Sequence, residues 1–303
     1  MSYAIGVDLG GTNIKIAAIS LDGEVLSYST CETADDGAAS WAETIKQKIE
    51  GVCDQRGEPP RHIGLAAPGL AARDGLSIVS MPGRLKGLEG LVWVDYLKMS
   101  SAVRVLNDAH AALLGEVWKG AASGFRNVVM LTLGTGVGGA ILADGRLFKG
   151  HSGRAGHLGH ISLNPDGPPD IVGTPGSLEQ MIGNCTLSAR SGGRYRSTRQ
   201  LVEAHLAGDS EATNIWVRSV YHLAVALASI INSVDPEVII LGGGIAAAGS
   251  ALFDPLSRFM KQVEWRPFGH RVPVIPAILS DRAGAIGAGY YAINFPAFEA
   301  TFV

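Results

Sequence analysis

The 303-residue sequence predicts an α/β protein of two related domains, on three observations. A pattern of strand, glycine turn, strand, Asp-Gly hairpin and strand occurs twice, beginning near residues 3 and 127. Around the two copies, short apolar strands alternate with amphipathic helices, an order that gives parallel or mixed sheets covered by helices. The 40 glycines are about twice the usual ~7% share, and they gather in a few clusters rather than spreading along the chain.

Each element has a local reason. "YAIGVDLGGTNIKIAAISLDGEVLSY" opens with two apolar runs around a glycine turn and continues through Asp22-Gly23, a type I′ turn signal. "SWAETIKQKIEGVC" has helical spacing, and "HIGLAAPGL" is a short strand ended by the Pro68-Gly69 turn. "VRVLNDAHAALLGEVWKGA" is a strand running into a helix at Asn107-Asp108. "NVVMLTLGTGVGGAILADGRLFKG" repeats the opening order, with Asp144-Gly145 as its hairpin signal. "IWVRSVYHLAVALASIINSVDP" is a long helix with apolar residues at i, i+3, i+4 and i+7, stopped by Pro236. "EVIILGGGIA" is a buried strand opening into a glycine turn, and "RAGAIGAGYYAIN" is a small-residue helix suited to close packing.

Composition narrows the function classes. With 47% apolar and 17% charged residues this is a folded chain, and a net charge of −3 makes no electrostatic case for nucleic acid. The one basic cluster, "GGRYRSTR", reads as a solvated loop or helix start. Cys31, Cys53 and Cys185 make neither a bridge framework nor a CxxC pair, which fits a reducing cytoplasm. "MSYAIGVDLGG" lacks a basic segment and meets Asp8 early, so no signal peptide is expected. Apolar windows such as "AVALASIINSV" are too short for a bilayer, and a soluble cytoplasmic protein follows.

Glycine turns at strand ends offer backbone N–H groups to anions, phosphate above all. The Walker pattern is absent, and no GxGxxG opens a βαβ unit. The turns in "DLGGTN", "LGTGVGG" and "LGGGIA" can together surround a nucleotide in a cleft between two domains.

The hairpin "IGVDLGGTNIKIAAIS" resembles the phosphate-binding hairpin of the sugar kinase, Hsp70 and actin superfamily. The likeness narrows to the ROK family (repressor, open reading frame, kinase), whose signatures stand in order along essentially the whole chain. They are DxGGTxxK from Asp8 to Lys15, the Pro-Gly turn of "AAPGL", "NDAHAAL", "LGTGVGGAIL", "AGHLGH", "GTPGSLEQ" and "LGGGIA". The resemblance implies two RNase-H-like (actin-like ATPase) α/β domains around a central cleft. The small N-terminal domain would cover 1–107 with a C-terminal helix at about 285–303, and the larger one 108–284. Closure over a bound sugar and a homodimer are further implications.

The resemblance also implies ATP-dependent phosphorylation of a sugar hydroxyl, of the hexose or N-acetylhexosamine class. Such transfer needs positioning, charge neutralisation and an oriented nucleophile. Asp108 matches the family's general base, and a carboxylate there both accepts the hydroxyl proton and tethers the oxygen in line. Asn107-Asp108 is also an ordinary N-cap signal, and one residue can cap while the other faces the sugar. Asp8 would hold Mg²⁺ through water, where the bland reading is a strand-end pair with Lys15. Gly10, Gly11, Thr12 and Lys15 would meet the terminal phosphates. Gly134, Thr135, Gly136 and Gly138 would form the second phosphate turn, and Gly242, Gly243 and Gly244 would lie against the adenosine. Gly69 and Asn107 fall on the substrate side.

In most ROK kinases the segment here reading "AGHLGH" is AGExGH, followed by CxCGxxGCxE. There the Glu and the His contact sugar hydroxyls, the same His joins three cysteines on a structural zinc, and the last Glu also binds sugar. Aligned on "GTPGSLEQ", this chain keeps Gly173, Gly176 and Glu179, while Asp170, Val172 and Ser177 occupy the cysteine positions. No zinc is therefore expected. The four prolines of "NPDGPPDIVGTPG" offer another restraint on the loop. His160 and Glu179 remain as sugar ligands, and His157 replaces an acceptor-only carboxylate by a group that donates or accepts.

Three alternatives compete with a sugar kinase. A sugar-responsive repressor of this family would need an added helix-turn-helix domain, for which a first strand at about residue 3 leaves no room. A sugar- or nucleotide-binding protein without transfer activity conflicts with Asp8, Thr12, Lys15 and Asp108. A kinase of a non-sugar polyol or acid is left open by His157.

Overall fold

The computed structural model describes residues 2–295, which divide into two compact units. The first unit takes the chain up to Phe125, Ile141–Ala155, and the chain from Ile278 onward; the second takes Arg126–Ala140 and Gly156–Ala277. Along the chain run β1 (Tyr3–Leu9), β2 (Asn13–Ser20), β3 (Val25–Glu32), α1 (Ser40–Arg56), β4 (His62–Ala67), β5 (Leu70–Ala71), β6 (Ile78–Ser80), α2 (Trp93–Leu97), β7 (Ala102–Asn107) and α3 (Asp108–Lys119). There follow β8 (Val128–Leu133), β9 (Val137–Ala143), β10 (Arg146–Leu147), α4 (Leu178–Ile182), α5 (Leu187–Arg190), α6 (Thr198–Leu206) and α7 (Ser210–Val234). The last elements are β11 (Val238–Gly242), α8 (Ser250–Val263), β12 (Val274–Pro276) and α9 (Ala283–Ile293).

Two five-stranded sheets share one topology. Their strand orders are β3-β2-β1-β4-β7 and β10-β9-β8-β11-β12, so the three strands of each sequence repeat take the same places. In the first, β1 pairs antiparallel with β2 and parallel with β4, which runs parallel with β7. In the second, β11 runs parallel with both β8 and β12.

The hairpin turns differ between the copies. Asp144 and Gly145 both have positive φ, 50° and 77°, as a type I′ turn requires. At the first site the expectation of type I′ fails. Gly23 alone has positive φ, the Gly23 N–H donates to Ser20 O at 3.0 Å, and the Ser20 N–H donates to Glu24 O at 2.8 Å. That is a three-residue loop closed by a left-handed glycine, and it carries a register shift at Ala18/Ile19.

Strand alternation decides what faces what in the first sheet. Tyr3, Ile5, Val7 and Leu9 join the core with Trp41, Ile45 and Ile49 of α1 and Trp93 of α2. Gly6 and Asp8 therefore point to the opposite face, where α9 lies. A Cβ on Gly6 would come within 1.8 Å of Ala285 O, and one on Gly64 within 1.8 Å of Ala288 O. On its other side α9 presses on α3: a Cβ on Gly287 would meet Ala111 O at 1.7 Å, and one on Gly115 would meet Ala283 O at 2.3 Å. Backbone rests on backbone in both places. This is why α3 stays with the first sheet, in the unit that includes the chain up to Phe125.

The approach to α9 is fastened by a buried carboxylate. Glu116, fully buried, accepts N–H bonds from Ala121 at 2.7 Å, Ile278 at 3.1 Å and Leu279 at 2.8 Å. The helix expected at about 285–303 is seen from Ala283 to Ile293, and its expected extension over 296–303 lies outside the described residues.

Long helices end where the sequence dictates. α7 stops at Val234, with Asp235 left-handed at φ 45° before Pro236. At 25 residues α7 is long and apolar enough to cross a bilayer, contrary to the expectation that every apolar window is too short. Its apolar stripe, including Trp216, Val220, Leu223 and Leu227, is instead buried in protein.

Methyl groups added at the α9 contact test this packing. Gly64→Ala and Gly287→Ala are each expected to cost roughly 1–3 kcal/mol or more, read as a lower denaturant midpoint at unchanged slope. Gly51→Ala in α1, where an added Cβ meets nothing within 4 Å, is expected to be neutral or to stabilise by about 0.5–1 kcal/mol.

Candidate active site

In the first unit the predicted residues gather at the carboxyl ends of three neighbouring parallel strands. Asp8 ends β1 opposite Ala66 of β4, Gly69 follows β4, and Asn107-Asp108 follows β7, with Ala67 paired to Asn107. Strand ends of this kind are where open α/β sheets bind ligands. Asp8 is 8% exposed. Its cross-strand partner is Lys15, whose Nζ lies 3.1 Å from Asp8 Oδ2. Burial raises the Asp8 pKa, Lys15 opposes the rise, and the nearby Asp108 and Asp281 carboxylates add to it.

The Asn107-Asp108 pair divides its work. Asn107 caps α3, its Oδ1 accepting from Ala109 N at 2.9 Å and His110 N at 3.2 Å, while its Nδ2 donates to Gly69 O at 2.9 Å. That last bond ties the turn after β4 to the start of α3, and Gly69 holds it with φ +99° and no room for a Cβ, which would lie 2.4 Å from Ser80 O. The half-buried Asp108 accepts from its neighbour's N–H, Ala109, at 2.8 Å. Burial raises the Asp108 pKa, against N–H groups at the helix start, the Asn107 side chain and Lys15.

Gly10, Gly11 and Thr12 form the turn between β1 and β2, closed by Gly10 N donating to Asn13 O at 3.0 Å. Thr12 is exposed, and its carbonyl accepts from Thr33 N at 2.9 Å.

In the second unit, Gly134, Thr135 and Gly136 follow β8, and Gly138 lies inside β9 rather than in the turn. Gly242 ends β11 beside Thr132 of β8, and the Ile245 N–H donates to Leu133 O at 2.9 Å. The turn through Gly243 and Gly244 is thus packed beside the Gly134 turn. Gly243, at φ +85°, touches Leu133 so closely that a Cβ would lie 2.4 Å from its carbonyl oxygen. Glu179 meets the same turn, its Oε2 accepting from Val137 N at 2.9 Å.

His160 ends a short 3₁₀ turn, Leu158–His160, that begins just after His157. Its Nδ1 lies 2.7 Å from Asp170 Oδ2. Burial opposes ionisation of Asp170, yet hydrogen bonds from His160, Ser177 and the N–H groups of Thr174 and Val172 hold its pKa below the usual carboxylate range. His157 is half-buried, and burial with His160 nearby lowers its pKa, so the ring is neutral at pH 7. Among the described residues no group of three or more His, Cys, Asp or Glu side chains is arranged to hold a metal ion.

Three residues escaped sequence reasoning. Asp281 precedes α9, accepts from Tyr28 Oη at 3.1 Å and acts on Asp8 through its charge. Gly284 lies against Asp8, a Cβ there falling 2.7 Å from the carboxylate carbon. Arg84 lies over Gly11, its guanidinium in the space a side chain at that position would need. The glycines of "DRAGAIGAG" signalled close packing but not the contact with Asp8.

The two sheets and their strand-end sites define the actin-like ATPase fold. The ROK family model matches residues 4–294, and the chain belongs to the ROK family. A glucokinase of Thermotoga maritima is 34% identical, the match covering 94% of this chain and 95% of that protein. The crystal structure of a ROK hexokinase from Thermus thermophilus matches with a TM-score of 0.82 at 29% identity, over 97% of this chain and 99% of that one. A ROK family glucokinase from Streptomyces griseus, solved in complex with glucose and AMPPNP, matches with a TM-score of 0.80 at 27% identity, over 96% and 99%.

The raised Asp108 pKa gives a stability prediction with a definite sign. Above that pKa the folded state carries a charge better solvated in the unfolded chain, so ionisation costs stability. Asp108→Asn is expected to raise Tm at pH 8, by about 2–4 °C for each kcal/mol recovered. The gain should shrink as pH falls into the usual carboxylate range, where both proteins are neutral at this position.

Proposed function

We propose that the protein is an ATP-dependent sugar kinase of the hexose or N-acetylhexosamine class, with Asp108 as its general base. The observation that carries this is Asp108 itself: a half-buried carboxylate of raised pKa at the start of α3, beside the Asp8–Lys15 pair. One of its oxygens is held by the Ala109 N–H. The other would take the proton of the attacking hydroxyl, while the hydrogen bond holds that oxygen in line.

The remaining residues fall into the roles the chemistry asks for. Lys15 and the N–H groups of Gly11 and Thr12 would meet the terminal phosphates, in a turn that Gly10 closes by donating its own N–H to Asn13 O. The turns at Gly134–Gly136, where the Gly134 N–H closes the turn on Gly136 O, and at Gly242–Gly244 would take the rest of the nucleotide, with Gly138 behind them. Asp8 fits a water-mediated Mg²⁺ site, because the like charges of Asp108 and Asp281 and its own burial leave local positive charge wanting. The ion, when bound, neutralises charge on the transferring phosphates. Gly69 and Asn107 shape the substrate side, and His157, His160 and Glu179 would hold sugar hydroxyls. No structural zinc belongs to this reading; a cytoplasmic location and a homodimer do.

The test is ADP release with Mg-ATP against hexoses, amino sugars, N-acetyl sugars and polyols. Asp108→Ala is expected to lower kcat by about 10²–10⁴-fold while ATP still raises Tm. Turnover confined to a polyol would select that alternative. Nucleotide binding with no turnover on any acceptor would leave a protein without transfer activity.

Two further outcomes follow. A base works only when ionised, so kcat/KM should rise with pH through the raised Asp108 pKa, its acid limb displaced above the usual carboxylate range. Removing Mg²⁺ with a chelator should abolish turnover, and adding it back should restore it.

A further inference from the structure

We propose that the Asp170 carboxylate stands in place of a structural metal and fixes His160 as the tautomer protonated on Nδ1, so that Nε2 accepts a hydrogen bond rather than donating one. Asp170, Val172 and Ser177 occupy the positions where the ROK pattern has three cysteines, and His160 the position of the fourth ligand. All four meet at one carboxylate. Asp170 supplies it, and His160 Nδ1 lies 2.7 Å from its Oδ2. The Val172 N–H donates to Oδ1 at 3.0 Å, and the buried Ser177 hydroxyl hydrogen-bonds the same group. Thr174 adds a further N–H at 2.9 Å.

This geometry does not fit a cation. A metal needs lone pairs turned inward, whereas here N–H and O–H donors converge on an anion. The Asp170 side chain has 0% exposure, and a charge so buried is tolerable only with such partners. The hub also closes the loop it sits in. Asp170 N donates to Thr174 O at 2.9 Å, Gly173 N to Asp170 O at 3.0 Å, and Leu163 N to Gly176 O at 2.9 Å. The same segment has bridges between Ser162 and Ser177 and between Pro169 and Pro175.

The exchange has a chemical consequence at His160. When a metal takes the lone pair of one ring nitrogen, the other nitrogen carries the proton and donates. An ionised carboxylate only accepts, so Nδ1 must carry a proton, and in the neutral ring Nε2 presents the lone pair. His157 stands where the pattern has an acceptor-only glutamate, and a neutral imidazole can donate. One donor and one acceptor are then retained, with their positions exchanged. This last step, toward a sugar, rests on the kinase reading; the hub does not.

The test combines histidine NMR with metal analysis. ¹⁵N-histidine-labelled protein at pH 8, with His160→Gln to assign the ring among the eight histidines, should show His160 protonated on Nδ1 without any sugar present. Asp170→Ala should lose that signature and lower Tm by roughly 5–10 °C. Asp170→Asn, which keeps the shape, should recover part of the Tm. The wild-type Tm should not respond to a chelator. With an accepted sugar, Asp170→Ala should raise the sugar KM about 10–100-fold and leave the ATP KM essentially unchanged. An Nε2-protonated His160, near-stoichiometric zinc, or a Tm that falls on chelation overturns the proposal. If Asp170→Ala does not fold, the wild-type spectrum and metal content still decide. The expected tautomer in a protein with no turnover would remove the kinase reading and keep the hub; turnover with the other tautomer would do the reverse.

Discussion

The first unit depends on α9 lying in direct backbone contact with β1, β4 and α3. Gly6, Gly64, Gly115 and Gly287 are the residues that make so short a distance possible, since any Cβ there would overlap a main-chain carbonyl. The contact positions both carboxylates of the candidate site. β1 presents Gly6 and Asp8 on one face, so seating α9 on Gly6 brings its first turn, at Gly284, against the Asp8 carboxylate. On the other side the same helix braces α3, whose first residue is Asp108. The burial that raises the Asp8 pKa includes that packing, and burial at the start of α3 raises the Asp108 pKa in the same direction.

The duplicated topology distributes chemistry by strand position. In both sheets candidate residues stand at the carboxyl ends of parallel strands, where the chain must turn. The first sheet puts carboxylates there, with Lys15 of the antiparallel β2 across from Asp8, a set suited to activating a hydroxyl and organising a cation. The second puts bare backbone turns there, at Gly134–Gly136 and Gly242–Gly244, suited to an anion. The first sheet adds side-chain charge to a glycine turn, at Gly10–Thr12, that the second sheet matches with backbone alone. Fold and chemistry are thus separable layers of this sequence.

Much of this was legible in the sequence because local rules govern it. The Asn107 cap, the Pro236 stop and the repeated glycine turn each express backbone sterics or hydrogen bonding within a few residues, and each element lies where those rules put it. What could not be read depends on partners distant along the chain. That α3 belongs with the first sheet depends on α9, some 170 residues later, packing on it. The role of Asp281 follows from the same packing. The first Asp-Gly turn deviates for a subtler reason: its three-residue loop absorbs the register shift at Ala18/Ile19, which a dipeptide signal cannot encode. α7 misled in another way, since length and apolarity do not distinguish a core helix from a bilayer span.

Replacing a metal by a carboxylate changes more than the identity of the central group. A zinc site gathers its ligands by strong bonds to one ion and contributes folding free energy outright. The Asp170 hub relies on four ordinary hydrogen bonds around a buried charge, an arrangement whose net contribution is modest but whose disruption is costly. It therefore specifies geometry more than it adds stability. Its geometry bears directly on His160, whose Nδ1 lies 2.7 Å from Asp170 Oδ2. The prolines of the same loop are complementary, since they restrict the unfolded chain and leave the hub free to select among folded arrangements. On the proposed kinase function His157 belongs to the same adjustment: were the neighbouring ring to accept rather than donate, an acceptor-only glutamate would leave the pair without a donor, and a neutral histidine would restore one.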